Sequence, residues 1–161
     1  DDPTGTQTVH NVPVLTRWTP ELLARELEDP APVTYLLTNS RSLPVEEARI
    51  QNRQIGKVLL EASRRTGRDI TVISRSDSTL RGHFPAEVEA LADGLRQPFD
   101  AWFLCPFFEE GGRLTIGDVH YVAEGEMLVP TAQTPFARDA AFGYKNSNLR
   151  RWILERFVSQ A

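Results

Sequence analysis

The chain has 161 residues, of which 40% are hydrophobic and 25% are charged, a composition that suits one globular domain with a core. Its 18 lysines and arginines do not outnumber its 22 acidic residues, and the net charge of −4 argues against a nucleic-acid partner. A single cysteine excludes an internal disulfide and favours a cytoplasmic location, and no apolar run has the length of about 20 residues that a membrane span needs.

The first third of the chain predicts two strands separated by a helix. Residues 12–16 read as a short strand and residues 19–28 as a helix, with Thr19 at its N-cap and Pro20 in the first helical position. Residues 33–38 form a compact run of apolar and β-forming side chains, which is typical of a buried parallel strand.

The next helix has the clearest signals at its two ends. It opens at Pro44 with acidic residues in the first turn, and Gly67 supplies a C-cap. Its apolar residues recur at helical spacing and predict one buried face, made of Ala48, Ile55, Val58, Leu59 and Ala62.

The middle of the chain continues the alternation of strands and helices. Residues 70–74 predict a second buried strand, residues 85–96 a helix, and residues 99–105 a third strand that would bury Cys105. Strand, helix and strand at this spacing indicate βαβ units and a mainly parallel sheet covered on both faces.

Beyond Pro106 the pattern changes from alternating elements to a hairpin and a last helix. Residues 119–122 and 127–129 predict a β-hairpin, and residues 148–158 predict a helix. The sequence therefore predicts an α/β fold, a three-layer Rossmann-like domain with a β-hairpin insertion, and a single domain that spans residues 1–161.

The polar segment 74–83 is the first candidate site because it follows a predicted strand, where open α/β sheets bind ligands. Arg75 or Arg81 could hold a carboxylate through paired charged hydrogen bonds. Three further side chains could read sugar hydroxyls: Asp77, Ser78 and Thr79. The alternative is a solvated loop whose hydroxyls cap the following helix, and spacing alone does not decide between the two.

The opening turn is the second candidate. Two adjacent acids, Asp1 and Asp2, could hold a substrate hydroxyl or a metal, and Gly5 permits a close backbone approach. The alternatives are an ordinary polar turn and an aspartyl-phosphate nucleophile, as in a phosphatase or phosphotransferase.

The third candidate is segment 106–121, in which Arg113 follows a double glycine and is a possible anion ligand, and the alternative is a turn that leads into the hairpin. The histidines share no metal-ligand spacing, so no metal site is predicted. The sequence contains neither a P-loop motif nor a Gly-x-Gly-x-x-Gly motif, so it predicts no nucleotide cradle.

Taken together, these segments resemble the N-terminal domain of the four-carbon acid sugar kinase family (DUF1537). The resemblance rests on four stretches in the same order along nearly the whole chain: Asp-Asp-Pro-Thr-Gly at 1–5, residues 74–82 with the core Asp-Ser-Thr-Leu-Arg-Gly, residues 106–122 with Gly-Arg and Val-His-Tyr-Val, and Phe-Ala-Arg-Asp at 136–139. It implies a two-domain protein whose C-terminal domain binds ATP and Mg²⁺ and whose N-terminal domain binds threonate, erythronate or 3-oxo-tetronate.

The resemblance also implies roles for individual residues. Asp2 would orient or deprotonate the attacking hydroxyl, with Asp1 in reserve, and Thr4 and Gly5 would shape the same wall. The strand before Asp1 and the nucleotide domain have no counterpart in these 161 residues. We therefore expect a fragment that is inactive alone, binds no cofactor itself and works with a C-terminal domain. A homodimer is compatible with this expectation. The competing interpretation is a non-enzymatic sugar-acid-binding or interaction module.

Overall fold

The computed structural model describes residue 1 and residues 9–159, which form two compact units. The first unit holds residues 1–75 and 86–100, and the second holds residues 76–85 and 101–161. Three of the predicted site residues, Asp2, Thr4 and Gly5, lie outside the described residues.

The first unit begins with a parallel pair of short strands joined by a helix. β1 (Val14–Leu15) and β2 (Tyr35–Leu36) pair in parallel, and α1 (Pro20–Glu28) connects them. The predicted cap of α1 is confirmed, because the Thr19 hydroxyl accepts a hydrogen bond of 3.2 Å from the backbone N–H of Leu22.

Two packed helices complete the first unit. α2 (Val45–Thr66) ends at Gly67, whose φ of 66° is the left-handed conformation predicted for this C-cap. The predicted apolar face of α2 is buried in full, and α2 packs against α3 (Ala86–Leu95). The core of this unit consists of Leu23, Ile55, Val58, Leu59, Ala62, Leu91 and Leu95.

The second unit contains a three-stranded antiparallel sheet and the last helix. β3 (Arg113–Ile116) pairs with β4 (Val119–Glu124), which pairs in turn with β5 (Met127–Pro130). The predicted hairpin corresponds to β4 and β5, and the predicted last helix corresponds to α4 (Leu149–Ser159). The core of this unit contains Leu80, Ala137, Tyr144 and Trp152.

The prediction was wrong for two strands and missed a third. Neither residues 70–74 nor residues 99–105 form a strand, although Ile70 and Val72 pack on the core as strand residues would. Apolar composition suggested burial at both places, but neither segment joins a hydrogen-bonded ladder with another part of the chain that the structure describes, and Phe103 is 94% exposed. Cys105, predicted to be buried, is exposed for the same reason.

The α/β class and the hairpin are confirmed, with one parallel pair and one antiparallel sheet among the described residues. Within the same residues, no helix has the length and apolar character needed to cross a membrane.

Candidate functional site

The predicted segment after residue 74 forms a tight turn in the second unit. The backbone N–H of Leu80 donates to the carbonyl of Asp77 at 3.0 Å, and Leu80 adopts a φ of 67°. A left-handed conformation costs a non-glycine residue roughly 1–2 kcal/mol. The Leu80 side chain is only 3% exposed, so its burial in the core holds the turn in this conformation.

Distant side chains hold the carbonyl groups of segment 76–82. The Tyr144 hydroxyl donates to the carbonyl of Thr79 at 2.7 Å, and Arg156 Nη2 donates to the carbonyl of Gly82 at 2.9 Å. Burial raises the pKa of Tyr144, which keeps the phenol protonated as a donor. These bonds order the segment from outside, so its side chains are presented in a fixed arrangement.

His120 is a third anchor, and its partners define its tautomer. Its Nε2 lies 2.7 Å from the carbonyl oxygen of Ser78, which can only accept, so Nε2 carries the proton. Its Nδ1 lies 2.9 Å from the Thr115 hydroxyl, which donates to the neutral ring. His120 is completely buried. No role for His120 was predicted from the sequence, because the spacing of the histidines indicates no metal site, whereas in the structure His120 holds the Ser78 carbonyl of the candidate site.

Burial lowers the pKa of His120, and the positive charge of Arg113 lowers it further, against opposing contributions from the Ser78 carbonyl and Asp77. The unfolded chain therefore binds a proton at a higher pH than the folded chain, near 6.5. We expect the free energy of unfolding to fall as the pH drops from about 7.5 through 6.5 to about 5.5.

This pH dependence is measured by urea unfolding at several pH values. His120→Gln should flatten the slope across this window, whereas the control His10→Gln, at an exposed residue, should leave it unchanged. Equal slopes for the wild type and His120→Gln would contradict the assignment.

A charged network occupies the side-chain face of the same turn. Arg81 Nε donates to Asp77 at 2.7 Å and to the Thr79 hydroxyl at 3.1 Å, and that hydroxyl donates to Asp77. Asp139 lies 3.6 Å from Arg81 Nη1. Partial burial lowers the pKa of Arg81, but the hydrogen bond and charge of Asp77 raise it by more, with help from Asp139. Arg81 is thus locked in place while a quarter of its side chain stays exposed.

The guanidinium groups of Arg113, on β3, and of Arg81 both lie over the ring of Phe136. The guanidinium carbons of Arg81 and Arg113 lie 5.1 Å and 5.6 Å from the ring centroid, within the range of cation–π attraction. Arg113 Nη1 donates to the carbonyl of Gly111. Its buried Nε has no hydrogen-bond partner among the described residues, and none of their carboxylates forms an ion pair with it. Two cations thus share one ring, and only one of them is neutralised by carboxylates within these residues.

The remaining predicted residues that the structure describes lie in the first unit. The amino group of Asp1 donates to the carbonyl of Arg75 at 3.1 Å, and the Asp1 carbonyl accepts from the Arg41 backbone at 3.3 Å. Asp1 and Arg75 are therefore neighbours through their backbones. In the second unit, the structure brings together Asp77, Ser78, Thr79, Arg81 and Arg113.

Sequence reasoning missed several residues that build this arrangement. Phe136 and Asp139 were quoted only as part of the resemblance, and Tyr144 and Arg156 carried no local signal. The polar run 38–42 after β2 had a usable signal, because it follows a strand just as segment 74–83 was expected to. It contains Ser40, which is 1% exposed and lies 3.1 Å from the Thr38 hydroxyl.

The comparison with protein families decides what kind of domain carries this arrangement. The family model described as "Sugar-binding N-terminal domain" matches residues 1–160. The chain belongs to this family. No curated protein matches the chain.

Two solved structures resemble this sugar-binding N-terminal domain. Both are of a DUF1537 protein from Bordetella bronchiseptica with bound citrate, and each is a domain-swapped dimer, in two crystal forms. Their identities to the domain are 26% and 27%, with TM-scores of 0.64 and 0.65. Each match covers 95% of this chain and 38% of the longer one, so the domain spans less than half the length of these relatives.

The described residues of the sugar-binding N-terminal domain contain no group of three or more His, Cys, Asp or Glu side chains arranged to hold a metal ion. Its chemistry, in the part of the chain that the structure describes, is that of guanidinium, carboxylate and hydroxyl groups. Guanidinium groups donate charged hydrogen bonds to anionic oxygens, carboxylates accept hydrogen bonds, and hydroxyl groups do both.

Proposed function

We propose that this domain binds the acceptor in an ATP-dependent kinase that phosphorylates the terminal hydroxyl of a four-carbon sugar acid. The acceptor would be threonate, erythronate or 3-oxo-tetronate. The observation that carries the proposal is the pair of guanidinium groups at Phe136, of which Arg113 has no carboxylate partner among the described residues.

The acid group of the substrate is the ligand that such a pair fits. A carboxylate near Arg113 would receive charged hydrogen bonds from a guanidinium group that forms no ion pair within the described residues, since Asp77 and Asp139 both pair with Arg81. Arg81, held by Asp77, would supply a second donor from a fixed position. Citrate in the DUF1537 structures is a hydroxy acid with the same two kinds of functional group.

The hydroxyl groups of the substrate would be read by side chains of the same turn. The Asp77 carboxylate accepts hydrogen bonds, and the Ser78 hydroxyl can both donate and accept them. A substrate hydroxyl needs partners of both kinds. The Thr79 hydroxyl is buried and already joins Asp77 to Arg81, so its part would be to position those two groups.

The role of the opening turn rests on the family resemblance. Asp2 would orient or deprotonate the attacking hydroxyl, with Asp1 as the second acid and with Thr4 and Gly5 beside them. Phosphoryl transfer depends mainly on positioning and charge neutralisation, so these roles need no nucleophilic side chain. ATP and Mg²⁺ would be bound by a C-terminal domain of a longer protein.

The kinase is tested by measuring ADP formation with a protein that contains this domain and any sequence that follows it. We expect ADP release with one member of a panel of four-carbon aldonic acids and none with the matching alcohols, which lack the carboxylate. Binding of an acid without ADP release would instead indicate a sugar-acid-binding module.

Two further features belong to the proposal. We infer that the protein assembles as a homodimer, as the citrate-bound DUF1537 relative does. We also infer that it works in the cytoplasm, where ATP is available and where a single unpaired cysteine is tolerated. Light scattering of the longer protein would reveal its mass, and a monomer at all concentrations would contradict the first inference.

A further inference from the structure

Phe136 lies on a short turn that is anchored on both sides in the second unit. The turn is the 3-10 helix Pro135–Arg138, which follows Thr134. The Thr134 side chain is completely buried, and its hydroxyl donates to the backbone carbonyl three residues earlier at 2.7 Å. Ala137 is buried in the core of the unit, and its carbonyl accepts from the backbone N–H of Tyr144 at 3.1 Å. The half-buried ring of Phe136 is therefore held in a fixed place.

The two guanidinium groups at this ring differ in what else holds them. Arg81 Nε donates to Asp77 at 2.7 Å, and Arg81 Nη1 lies 3.6 Å from Asp139. Arg81 also directly follows Leu80, which is buried in the same core cluster as Ala137. Two carboxylates and the core thus keep Arg81 in position, whether or not the ring is present.

Arg113 has fewer contacts of this kind. Its backbone is fixed next to β3, where its N–H donates to the carbonyl of Phe108 at 2.8 Å and its carbonyl accepts from the Phe108 N–H at 2.9 Å. Its side chain donates to the Gly111 carbonyl and forms no ion pair among the described residues. In this part of the chain, the Phe136 ring, 5.6 Å from the guanidinium carbon, is the contact that compensates its charge.

An aromatic ring is suited to hold two cations where an anionic ligand must bind. Two guanidinium groups repel each other, and the negative face of a ring attracts both. A guanidinium group that lies over a ring face still has its N–H groups free to donate at its edge. A carboxylate in the same place would occupy those N–H groups and would also repel an anion. Phe136 therefore holds cations without competing with a ligand for their hydrogen bonds.

We propose, on the basis of the function proposed above, that Phe136 is a positioning residue whose ring keeps Arg81 and Arg113 within reach of the same ligand carboxylate. Its effect is unequal, because Arg81 is already fixed by Asp77 and Asp139. The ring acts mainly on Arg113, which it restrains in the conformation that binds the acid.

The alternative is that Phe136 only fills space between the turn and its neighbours. Leucine is also apolar and of moderately smaller volume, so Phe136→Leu would then change stability and leave the affinity for an acid as it is. Phe136→Tyr retains the ring and its face, so it separates loss of the ring from any other effect of substitution. Phe103→Leu is the matched control, since it makes the same exchange at a side chain that is 94% exposed.

Isothermal titration of erythronate and of citrate into these chains measures the affinity, and thermal unfolding verifies that each chain is folded. We expect Phe136→Leu to weaken binding by roughly 5- to 30-fold, the loss of cation–π attraction in a partly desolvated site. Phe136→Tyr should recover most of the affinity, and Phe103→Leu should bind as the wild type does. In an Arg113→Ala background, Phe136→Leu should have less than about half of its effect on the binding free energy, because the two residues act together.

NMR of the arginine side chains supplies a second measurement that needs no ligand. In Phe136→Leu, the Arg113 Nε–H should exchange with water faster than in the wild type, since its side chain is no longer restrained. The Arg81 Nε–H should be unchanged, because its hydrogen bond to Asp77 remains. Phe136→Tyr should restore slow exchange at Arg113.

Acid binding by the wild type together with equal affinity in a folded Phe136→Leu chain would overturn the role of Phe136 and leave the proposed function intact. A Phe136→Leu effect of full size in the Arg113→Ala background would also overturn it, since the ring would then act through another group. Absence of binding of either acid to the wild type would contradict the proposed function itself.

Discussion

Replacement of Arg113 by alanine is expected to weaken the proposed binding of a carboxylic acid, with citrate as the probe, by roughly 30-fold to several thousand-fold. The range corresponds to the loss of about 2–5 kcal/mol that follows when one partner of a hydrogen-bonded charge pair is removed. The reason is that Arg113 has a buried Nε without a partner in the described residues and no neutralising carboxylate among them. Isothermal titration of citrate into the wild-type and variant chains measures the change.

The control for this prediction is Arg150→Ala, which removes the same charge from an exposed side chain paired with Asp118. Such a surface pair contributes about 0–1 kcal/mol, so the control should bind citrate almost as the wild type does. Thermal unfolding of both variants verifies that the second unit is folded. Loss of affinity of equal size in the two variants would mean that only overall charge matters, and the Arg113 site would be wrong.

Replacement of Gly94 by alanine is expected to reduce the free energy of unfolding by about 2 kcal/mol or more, and Tm by roughly 4–8 °C. α2 and α3 approach closely at this residue. A Cβ at Gly94 would lie 2.2 Å from the Arg53 carbonyl oxygen and 2.9 Å from the Gly56 Cα, both backbone atoms that cannot move aside. This clash outweighs the gain of up to about 1 kcal/mol that alanine brings to a helix interior.

Asp93→Ala is the matched control for this second prediction, since it changes the neighbouring residue on the same helix. Asp93 is exposed and forms an ion pair of 3.2 Å with Arg53, a contact worth about 0–1 kcal/mol. Calorimetry of the two variants should therefore separate them clearly. A Gly94→Ala chain as stable as Asp93→Ala would show that the helices separate at little cost.

The helices could be predicted from the sequence because their signals are local. Thr19 and Pro20 define the start of α1, Gly67 ends α2, and the spacing of apolar residues identified the buried face of α2. Each of these signals acts over a few residues, so no knowledge of the rest of the chain is required.

The strands were less predictable because a strand needs a partner. Residues 70–74 have the composition and alternation of a strand, yet no ladder forms with them among the described residues. β3 was missed because Gly112 and Arg113 read as a turn, whereas the pairing of Arg113 with Val122 belongs to the sheet. Pairing depends on residues far along the chain, and composition does not reveal it.

The residues at the centre of the candidate site could be named from the sequence, whereas the side chains that hold them in place could not. The turn at 77–82 and Arg113 were identified from their chemistry and from the family resemblance. Tyr144 and Arg156 lie 65 and 74 residues from the carbonyls that they hold, a separation at which no local pattern operates. The part that Phe136 plays in the candidate site is evident only from the fold, which places two guanidinium groups over its ring.

The most direct test of the carboxylate site observes the arginine side chains of the wild-type domain by NMR during a titration with citrate and then with erythronate. We predict a large shift of the Arg113 Nε–H resonance, since this group gains a hydrogen-bond partner, and a smaller shift for Arg81, whose Nε already donates to Asp77. Saturable binding that leaves the Arg113 Nε–H resonance unmoved would contradict the account.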